Sequence, residues 1–258
     1  MKDKKMRQHN YSKKISSLFA RAKKLSKEKG IYYVVRISFI KLIFHWPITF
    51  FGYWYYTIFK PSRTFIFQGD TYNYFYHRYN ASYRSERSVE IPIICKMLRE
   101  YPEQKILEVG NVLSHYFSVN HDILDKYEKA YGVINQDVIN FQPAKKYDLI
   151  VSISTLEHVG WDESPREPMK ILQAIENLKN LLAPGGKMVI TLPLGYNSEM
   201  DSLLKENKIQ FTRMYYLKRS SRGNKWTETN WQDVVNNAKY NYSFYYANAL
   251  VVGIFEKK

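Results

Sequence analysis

Three apolar stretches decide the fold: KILEVG (residues 105–110), YDLIVSISTLEHV (147–159) and LLAPGGKMVITL (181–192). In each, a nearly continuous apolar run ends at a glycine, a proline or a small polar residue, which is typical of strands buried on both faces of a parallel sheet. Between the last two stretches, apolar residues recur at helical spacing and predict a helix that starts at Ser164–Pro165 and ends before Pro184. Strand, helix and strand in this order predict a right-handed crossover unit of an α/β protein.

The series ILEVG (106–110), GVINQD (132–137), YDLIVSISTLEHV (147–159) and LAPGGKMVI (182–190) resembles class I S-adenosylmethionine-dependent methyltransferases. The nearest resemblance is to the branch with Leu-Glu-His-Val after its fourth strand, and it covers about residues 85–258. It implies a Rossmann-like α/β sheet of seven strands, the last antiparallel, with helices on both faces and S-adenosyl-L-methionine as cofactor. Ligands of such sheets sit outside the carboxyl ends of the strands, so polar residues just past each strand are the candidates for the site.

The turn after the first strand carries the first candidates for cofactor binding. By resemblance, Glu108 and Gly110 hold the positions of the family's acid and first turn glycine, with Asn111 beside them. Glycine has no Cβ and lets the backbone approach a ligand closely, although a purely structural turn would also use it. Val112 and Ser114 stand where the family's further glycines would fall, which makes this turn unusual.

The resemblance assigns four more cofactor contacts to the ends of the next strands. Asp125 matches the acid that accepts hydrogen bonds from both ribose hydroxyls, with a helix N-cap as the alternative. It follows Gly110 by only fifteen residues, so the first crossover helix is expected to be a turn or two. Asp137 matches the acid that receives the adenine amino group, with an Asx-turn as the alternative, and Ser154 and Thr155 border the methionine end.

Two histidines are candidate catalytic bases. His158 is the first, because imidazole exchanges a proton near neutral pH and methyl transfer to a hydroxyl benefits from proton removal. His115 is the second. Alternatively, His158 packs the following loop, and in-line positioning of the reacting atoms needs no base. The single Cys95 excludes an internal disulfide and a Cys-rich metal site, so no metal is expected.

The N-terminal part of the chain has a different character. Residues 1–30 hold eleven Lys or Arg against two acids, a balance of +9 out of the total of +15. A basic amphipathic helix is predicted from Ser12 to Gly30, followed by the eighteen uncharged residues Leu42–Phe59. A basic amphipathic helix followed by an uncharged apolar segment indicates an interfacial membrane anchor, a buried or dimer-forming helix pair, or a membrane span.

The predicted organisation has three parts. Residues 1–60 form the extension, 61–104 a connecting lid segment with the helix before strand one, and 105–258 the methyltransferase domain. Aromatic and basic residues of the lid segment either close the pocket or bridge the extension to the domain: Tyr76, Tyr79, Tyr83, Arg84 and Arg87. The loop 218–230, with two arginines and Trp226, faces the acceptor or forms a basic hairpin anchored by its Trp.

The expected function is methyl transfer to a hydroxyl or carboxyl oxygen of a sugar, a lipid-linked glycan or a small metabolite. The protein is expected to be cytoplasmic, with peripheral contact to the inner membrane face through residues 12–59. A nucleic-acid methyltransferase is an alternative, but no Asn/Asp-Pro-Pro-Tyr/Phe motif follows the fourth strand and the charge lies mostly in the N-terminal arm. A non-catalytic membrane scaffold is the other alternative, favoured by the missing turn glycines.

Overall fold

The computed structural model of the chain describes residues 46–241 and 245–258, together with Tyr32. Residues 56–258 form a compact unit by themselves. The basic helix predicted between Ser12 and Gly30 lies outside the described residues.

The described chain contains both helices and strands, and several strands follow one another without an α-helix between them. The helices are α1 (Trp46–Phe59), α2 (Arg87–Arg99), α3 (Lys170–Leu181), α4 (Ser198–Lys205) and α5 (Trp231–Val235). The strands are β1 (Thr64–Phe67), β2 (Asp70–Asn73), β3 (Ile106–Val109), β4 (Asp122–Leu124), β5 (Val133–Ile134), β6 (Tyr147–Ile153), β7 (Leu182–Pro193), β8 (Arg213–Ser221), β9 (Lys225–Thr229) and β10 (Ala249–Glu256). Short 3-10 turns occupy Tyr79–Arg84, Leu113–His115 and Leu156–His158.

The central sheet has the strand order β5-β4-β3-β6-β7-β10-β8-β9, and β1 and β2 form a separate antiparallel hairpin. The first five strands of that order are parallel, and β10 runs antiparallel between β7 and β8. The predicted methyltransferase-type α/β sheet with an antiparallel last strand is therefore confirmed. Its described part has eight strands rather than seven, because β9 extends the edge by pairing with β8.

The two faces of the sheet bury separate apolar layers. Ile150 and Ile190 point into a layer that contains the apolar face of α3, whose Ile171, Leu178 and neighbours are buried. Their chain neighbours Val151 and Val189 point into the opposite layer with α2 and the β1–β2 hairpin. This alternation follows from the period of two along a strand. The prediction of helices on both faces is confirmed.

Two crossover helices differ in how well the sequence predicted them. The first is a single 3-10 turn at Leu113–His115, as the short spacing predicted. The second, α3, begins at Lys170 rather than at Ser164–Pro165. The start is later because Pro168 disfavours a helical conformation for the residue before it, Glu167. The Glu167 N–H donates instead to the Gly160 carbonyl at 2.8 Å, which holds this segment as a loop.

Helix α1 presents bulky apolar side chains to solvent. Its exposed side chains recur at steps of three and four residues, on one side of the helix: Phe51, Trp54, Tyr55, Ile58 and Phe59. Across the residues that the structure describes, none of the helices has both the length and the apolar character required to cross a bilayer.

Candidate active site

A cavity of about 550 Å³ opens at the carboxyl ends of β3, β4, β5 and β6, where this class of sheet binds its ligands. Its volume lies within the range of small-molecule sites. Seven of the nine residues predicted for the site line its wall: Gly110, Asn111, His115, Asp125, Asp137, Thr155 and His158. The other two, Glu108 and Ser154, are buried and do not line it.

The turn after β3 places the backbone of Gly110 against the cavity. Gly110 has φ +89, a conformation that favours glycine, and its N–H donates to the Leu124 carbonyl at 2.8 Å. The buried side chain of Glu108 stabilises this turn, since its Oε1 accepts hydrogen bonds from the N–H groups of Val112 and Leu113 at 2.9 and 2.8 Å. Its Oε2 lies 2.9 Å from Nε2 of His121. The acid after β3 thus shapes the turn without reaching the cavity.

Asp125 connects the turns after β3 and β4. Its Oδ2 accepts from the N–H of Asn111 at 3.2 Å, and its Oδ1 accepts from the N–H groups of Tyr127 and Glu128 at 2.8 and 2.7 Å. The second pair of bonds resembles the N-cap alternative, yet the residue also lines the cavity. A carboxylate has about four lone-pair sites, so Asp125 can accept a further donor from a ligand.

Asp137, past β5, lies in a network of two acids and two lysines that the sequence did not predict. Oδ2 of Asp137 contacts the ammonium groups of Lys126 and Lys170 at 2.8 and 2.9 Å. Both lysines also contact Glu163, at 3.1 and 2.6 Å. Burial alone would raise the pKa of Asp137, but the hydrogen bonds from the two ammonium groups outweigh it and lower that pKa. Asp137 is therefore an ionised carboxylate at neutral pH.

The end of β6 is tied to helix α2 by a buried ion pair. Arg87 lies 3.1 Å from Oε2 of Glu90 and donates to the carbonyls of Ile153 and Ser154 at 2.8 and 3.3 Å. Oε1 of Glu90 accepts from the hydroxyls of Ser154 and Thr191. Ser154 is thus engaged in positioning the strand end, and Arg87, whose side chain is 12% exposed, binds the strand end and does not line the cavity.

Thr155 is the next residue and faces the cavity. Its Oγ1 donates to the Ile153 carbonyl at 3.1 Å. A Cβ on Gly110 would lie 2.1 Å from this Oγ1, so only glycine fits opposite Thr155. The two loops after β3 and β6 therefore approach each other at this point.

His158 stands on the cavity wall in the 3-10 turn after β6, with a side chain 46% exposed. Its Nδ1 lies 2.6 Å from Oδ2 of Asp162. The Tyr196 hydroxyl donates to the same Oδ2 at 2.6 Å, and the Tyr196 ring meets the imidazole edge-to-face with centroids 4.7 Å apart. Asp162 and Tyr196 were not predicted, although the spacing of four between His158 and Asp162 is visible in the sequence.

The imidazole ring of His115 contacts two other side chains, those of Tyr79 and Glu128. Its ring stacks on Tyr79 with centroids 4.3 Å apart and planes 19° from parallel, and its Nε2 lies 3.1 Å from Oε1 of Glu128. Tyr79 and Asn80 line the cavity, so this part of the predicted lid segment does reach the site. Tyr83, in contrast, is buried at 1% exposure and does not line the cavity.

The interpretation of residues 218–230 as an acceptor-facing loop is wrong. The segment forms the end of β8, a turn and β9, and Trp226 is buried at 2% exposure. The guanidinium of Arg219 is turned inward, where it donates to the backbone carbonyls of Ser221, Arg222 and Tyr245. The alternative of a hairpin anchored by its Trp is the one that the structure supports.

The lining of the cavity fits a nucleoside cofactor. Gly110 brings bare backbone to the wall, and Asp125 offers acceptor positions next to it. Together with the strand order and the antiparallel β10, these features define a Rossmann-like enzyme of the class I methyltransferase type.

The comparison of the sequence with protein-family models supports the same class of protein. Residues 89–242 match the family model described as "Methyltransferase domain", which covers more than half of the chain. The chain belongs to this family and is an S-adenosylmethionine-dependent methyltransferase. No curated protein sequence matches it at a significant level.

Solved structures with a similar fold include three methyltransferases of low sequence identity. N-methyltransferase NodS from Bradyrhizobium japonicum WM9, in complex with S-adenosyl-L-homocysteine, has 13% identity and a TM-score of 0.41, covering 67% of this chain and 87% of that one. Magnesium protoporphyrin IX methyltransferase (ChlM) from Synechocystis PCC 6803, with bound SAM, has 12% identity and a TM-score of 0.35, covering 66% and 78%. The sugar N-methyltransferase KedS8 from Streptoalloteichus sp ATCC 53650 has 15% identity and a TM-score of 0.30, covering 51% and 55%.

Proposed function

We propose that this methyltransferase acts on an oxygen, transferring the methyl group to a hydroxyl or carboxyl of a sugar, a lipid-linked glycan or a small metabolite. The observation that carries the proposal is the position of His158 on the wall of the same cavity as Gly110 and Asp125. A hydroxyl oxygen gains a positive charge as it is methylated, so a neighbouring imidazole that takes its proton lowers the barrier. A carboxylate is already ionised at neutral pH and needs no such base, so the position of His158 supports the hydroxyl acceptor in particular.

We assign the cofactor-binding roles to five residues of the cavity wall. When bound, S-adenosyl-L-methionine supplies an electrophilic methyl group on a sulfonium. Asp125 binds the ribose hydroxyls through acceptor positions that its backbone bonds leave open, and Gly110 and Asn111 offer the backbone beside it. Asp137 receives the adenine amino group, in competition with Lys126 and Lys170, and Thr155 borders the methionine end.

Glu108 and Ser154 serve the cofactor indirectly in this proposal. Glu108 holds the N–H groups of the turn after β3, and Ser154 is held by Glu90 at the end of β6. Both side chains keep the backbone of the cavity wall in place, and neither is exposed to a ligand.

Between the two histidines, we favour His158 as the base. Nε2 of His115 already pairs with Glu128, and its ring is covered by Tyr79. Among the described residues each histidine has one ring nitrogen in a short contact, Nε2 of His115 with Glu128 and Nδ1 of His158 with Asp162, but the side chain of His158 is 46% exposed and that of His115 only 25%. His158 is therefore the more accessible of the two for an acceptor.

The acceptor class can be tested with the full chain and methyl-labelled S-adenosyl-L-methionine. Lipid, glycan, small-metabolite and nucleic-acid fractions of a cell extract are incubated separately, and the labelled products are treated with mild base and with glycosidases. Label that enters a lipid, glycan or metabolite fraction as an ether or ester supports the proposal. Label in nucleic acid, or on nitrogen alone, contradicts it.

We also propose that residues 1–60 form an extension distinct from the catalytic part, 105–258, and contact a membrane surface from the cytoplasmic side. The +9 charge of residues 1–30 and the aromatic side of α1 support this, since basic residues attract anionic headgroups and Trp and Tyr favour the interface. Sedimentation with anionic and with neutral vesicles tests it. The full chain should pellet with the anionic vesicles. A variant without residues 1–60 should stay in the supernatant. A full chain that stays in the supernatant with both vesicle types rules the contact out.

A further inference from the structure

The imidazole of His158 lies between two carboxyl groups on opposite nitrogens. Nδ1 is 2.6 Å from Oδ2 of Asp162, and Nε2 is 3.5 Å from Oε1 of Glu157. The first distance is that of a strong hydrogen bond, whereas the second is too long for one. The two neighbours therefore act on the ring differently.

The environments of the two carboxyl groups also differ. Asp162 is half exposed, and although its partial burial opposes the effect, hydrogen bonds from Tyr196 and His158 lower its pKa. Glu157 is 2% exposed, and this burial raises its pKa well above the usual range. The ring thus faces an anionic carboxylate at Nδ1 and, near Nε2, a buried carboxyl group whose pKa is raised. An anionic carboxylate accepts hydrogen bonds only, so the proton of a neutral imidazole belongs on Nδ1.

We propose that Asp162, assisted by Tyr196, is a positioning residue that holds His158 in the Nδ1-protonated tautomer and leaves Nε2 as the proton acceptor. The inference rests on the proposed function, because it specifies which nitrogen of the proposed base acts. Nε2 takes the proton of the acceptor hydroxyl as the oxygen gains the methyl group and the sulfur keeps the electron pair of the bond that breaks. Asp162 stabilises the imidazolium that results.

Tyr196 restricts both members of the pair. Its hydroxyl donates to the carboxylate oxygen that His158 also contacts, and its ring packs edge-to-face on the imidazole. Tyr196 is itself packed edge-to-face on Tyr240, with centroids 5.0 Å apart. The loop after β7 thereby fixes the carboxylate of Asp162 in the orientation that Nδ1 requires.

The tautomer can be measured without knowing the acceptor. The full chain is labelled with ¹⁵N-histidine, and long-range ¹H–¹⁵N correlation spectra are recorded at a pH where imidazoles are neutral. The His158→Asn variant identifies the signal. The wild type is expected to hold His158 mainly as the Nδ1–H form, and Asp162→Ala should reduce the ratio of the Nδ1–H to the Nε2–H form at least threefold. Tyr196→Phe keeps the ring packing and should give a smaller reduction.

Glu157→Gln is the matched control, because it replaces the carboxyl group near Nε2 by a neutral carboxamide and leaves the partners of Nδ1 unchanged. It is expected to leave the ratio of tautomers within twofold of the wild type. A wild type that holds mainly the Nε2–H form, or an unchanged ratio in Asp162→Ala, overturns the inference. Calorimetric titration of the wild type with S-adenosyl-L-methionine is recorded in parallel. Absence of binding there contradicts the proposed function independently of the tautomer result.

Discussion

Gly110 and Thr155 touch across the cavity wall. A Cβ built on Gly110 would lie 2.1 Å from Oγ1 and 2.7 Å from Cγ2 of Thr155, and both distances are far below van der Waals contact. The contact joins the turns that follow β3 and β6, which are neighbouring strands in the parallel part of the sheet. The shape of the cavity at this point therefore depends on the absence of a single carbon atom.

We expect Gly110→Ala to destabilise the protein and to weaken cofactor binding together. The positive φ of Gly110 costs an alanine about 1–2 kcal/mol, and the clash with Thr155 adds about 1–3 kcal/mol. Gly69→Ala is the matched control, because Gly69 has φ +78 and nothing within 4 Å of the added carbon. Urea denaturation should show a loss about twice as large or more for Gly110→Ala, and only this variant should lose affinity in calorimetry. Equal losses in the two variants would show that the contact with Thr155 is unimportant.

We expect Asp125→Asn to weaken cofactor binding and to leave the fold largely intact. The carboxamide oxygen can still accept from the N–H groups of Tyr127 and Glu128, so the local turn survives. The amide nitrogen cannot accept from a ribose hydroxyl or from the N–H of Asn111. We expect the dissociation constant of S-adenosyl-L-methionine to rise at least tenfold, measured by calorimetry.

Asp148→Asn is the control for this substitution. Asp148 accepts from the N–H of Lys105 at 2.9 Å, at the opposite end of the strands, and does not line the cavity. It should leave the dissociation constant within twofold of the wild type. If Asp125→Asn binds as tightly as the control, Asp125 does not bind the cofactor.

The strands and the edge that carries the cavity could be predicted because both follow from local patterns. Each apolar run, such as 147–153, is long enough to be buried on both faces, and the topology then brings the residues past each strand to one edge. The start of α3 could not be predicted in the same way. Its apolar periodicity was clear, but a helix start depends on prolines such as Pro168 and on a loop contact with Gly160.

The parts of the site that the sequence did not predict come from loops. Tyr196 is 38 residues away from His158 in the sequence, and no periodicity connects the two. Lys126 and Glu163 likewise meet only because the loops after β4 and β6 approach each other. Charged loop residues look alike in a sequence, since most of them are simply solvated. Their partners are set by the tertiary fold.

The turn between β8 and β9 depends on a buried Asn224, which we expect to be among the most sensitive positions for stability. Its Nδ2 donates to the carbonyls of Tyr83 and Ser85 and to the Ser88 hydroxyl, at 3.3, 3.2 and 2.8 Å. Its Oδ1 accepts from Nε1 of Trp226 at 2.8 Å. Loss of these bonds in Asn224→Ala leaves buried polar groups unpaired and should cost about 3–5 kcal/mol of unfolding free energy.

The control for Asn224→Ala is Asn207→Ala. Both asparagines have positive φ, +55 and +57, but Asn207 is exposed. The strain of the left-handed conformation is therefore common to both variants, and Asn207→Ala should cost about 1–2 kcal/mol from that strain alone. Urea denaturation of the two variants separates the hydrogen bonds from the backbone strain. Similar losses would mean that the bonds of Asn224 contribute little.

Asp201 should make the protein less stable as the pH rises from about 4 to 6. It lies in the first turn of α4, where Oδ2 accepts from the N–H of Gly195 at 2.8 Å and the buried Oδ1 finds no hydrogen-bond partner among the described residues. Burial raises the pKa of Asp201 from 3.8 to about 6, against the opposing effect of that hydrogen bond. Between these values the unfolded chain has released the proton and the folded protein still holds it, so raising the pH favours unfolding. The loss amounts to about 3 kcal/mol at most.

Asp201→Asn should remove this pH dependence, because the carboxamide is neutral throughout. The difference in unfolding free energy between variant and wild type, measured in urea at intervals from pH 4 to 7, should grow in favour of the variant by up to about 3 kcal/mol. Glu199→Gln, which removes an exposed acid from the same helical turn, is the comparison variant and is measured over the same pH range. If the curves for the two variants run parallel, the pKa of Asp201 does not differ between the folded and unfolded states, and burial does not govern its protonation.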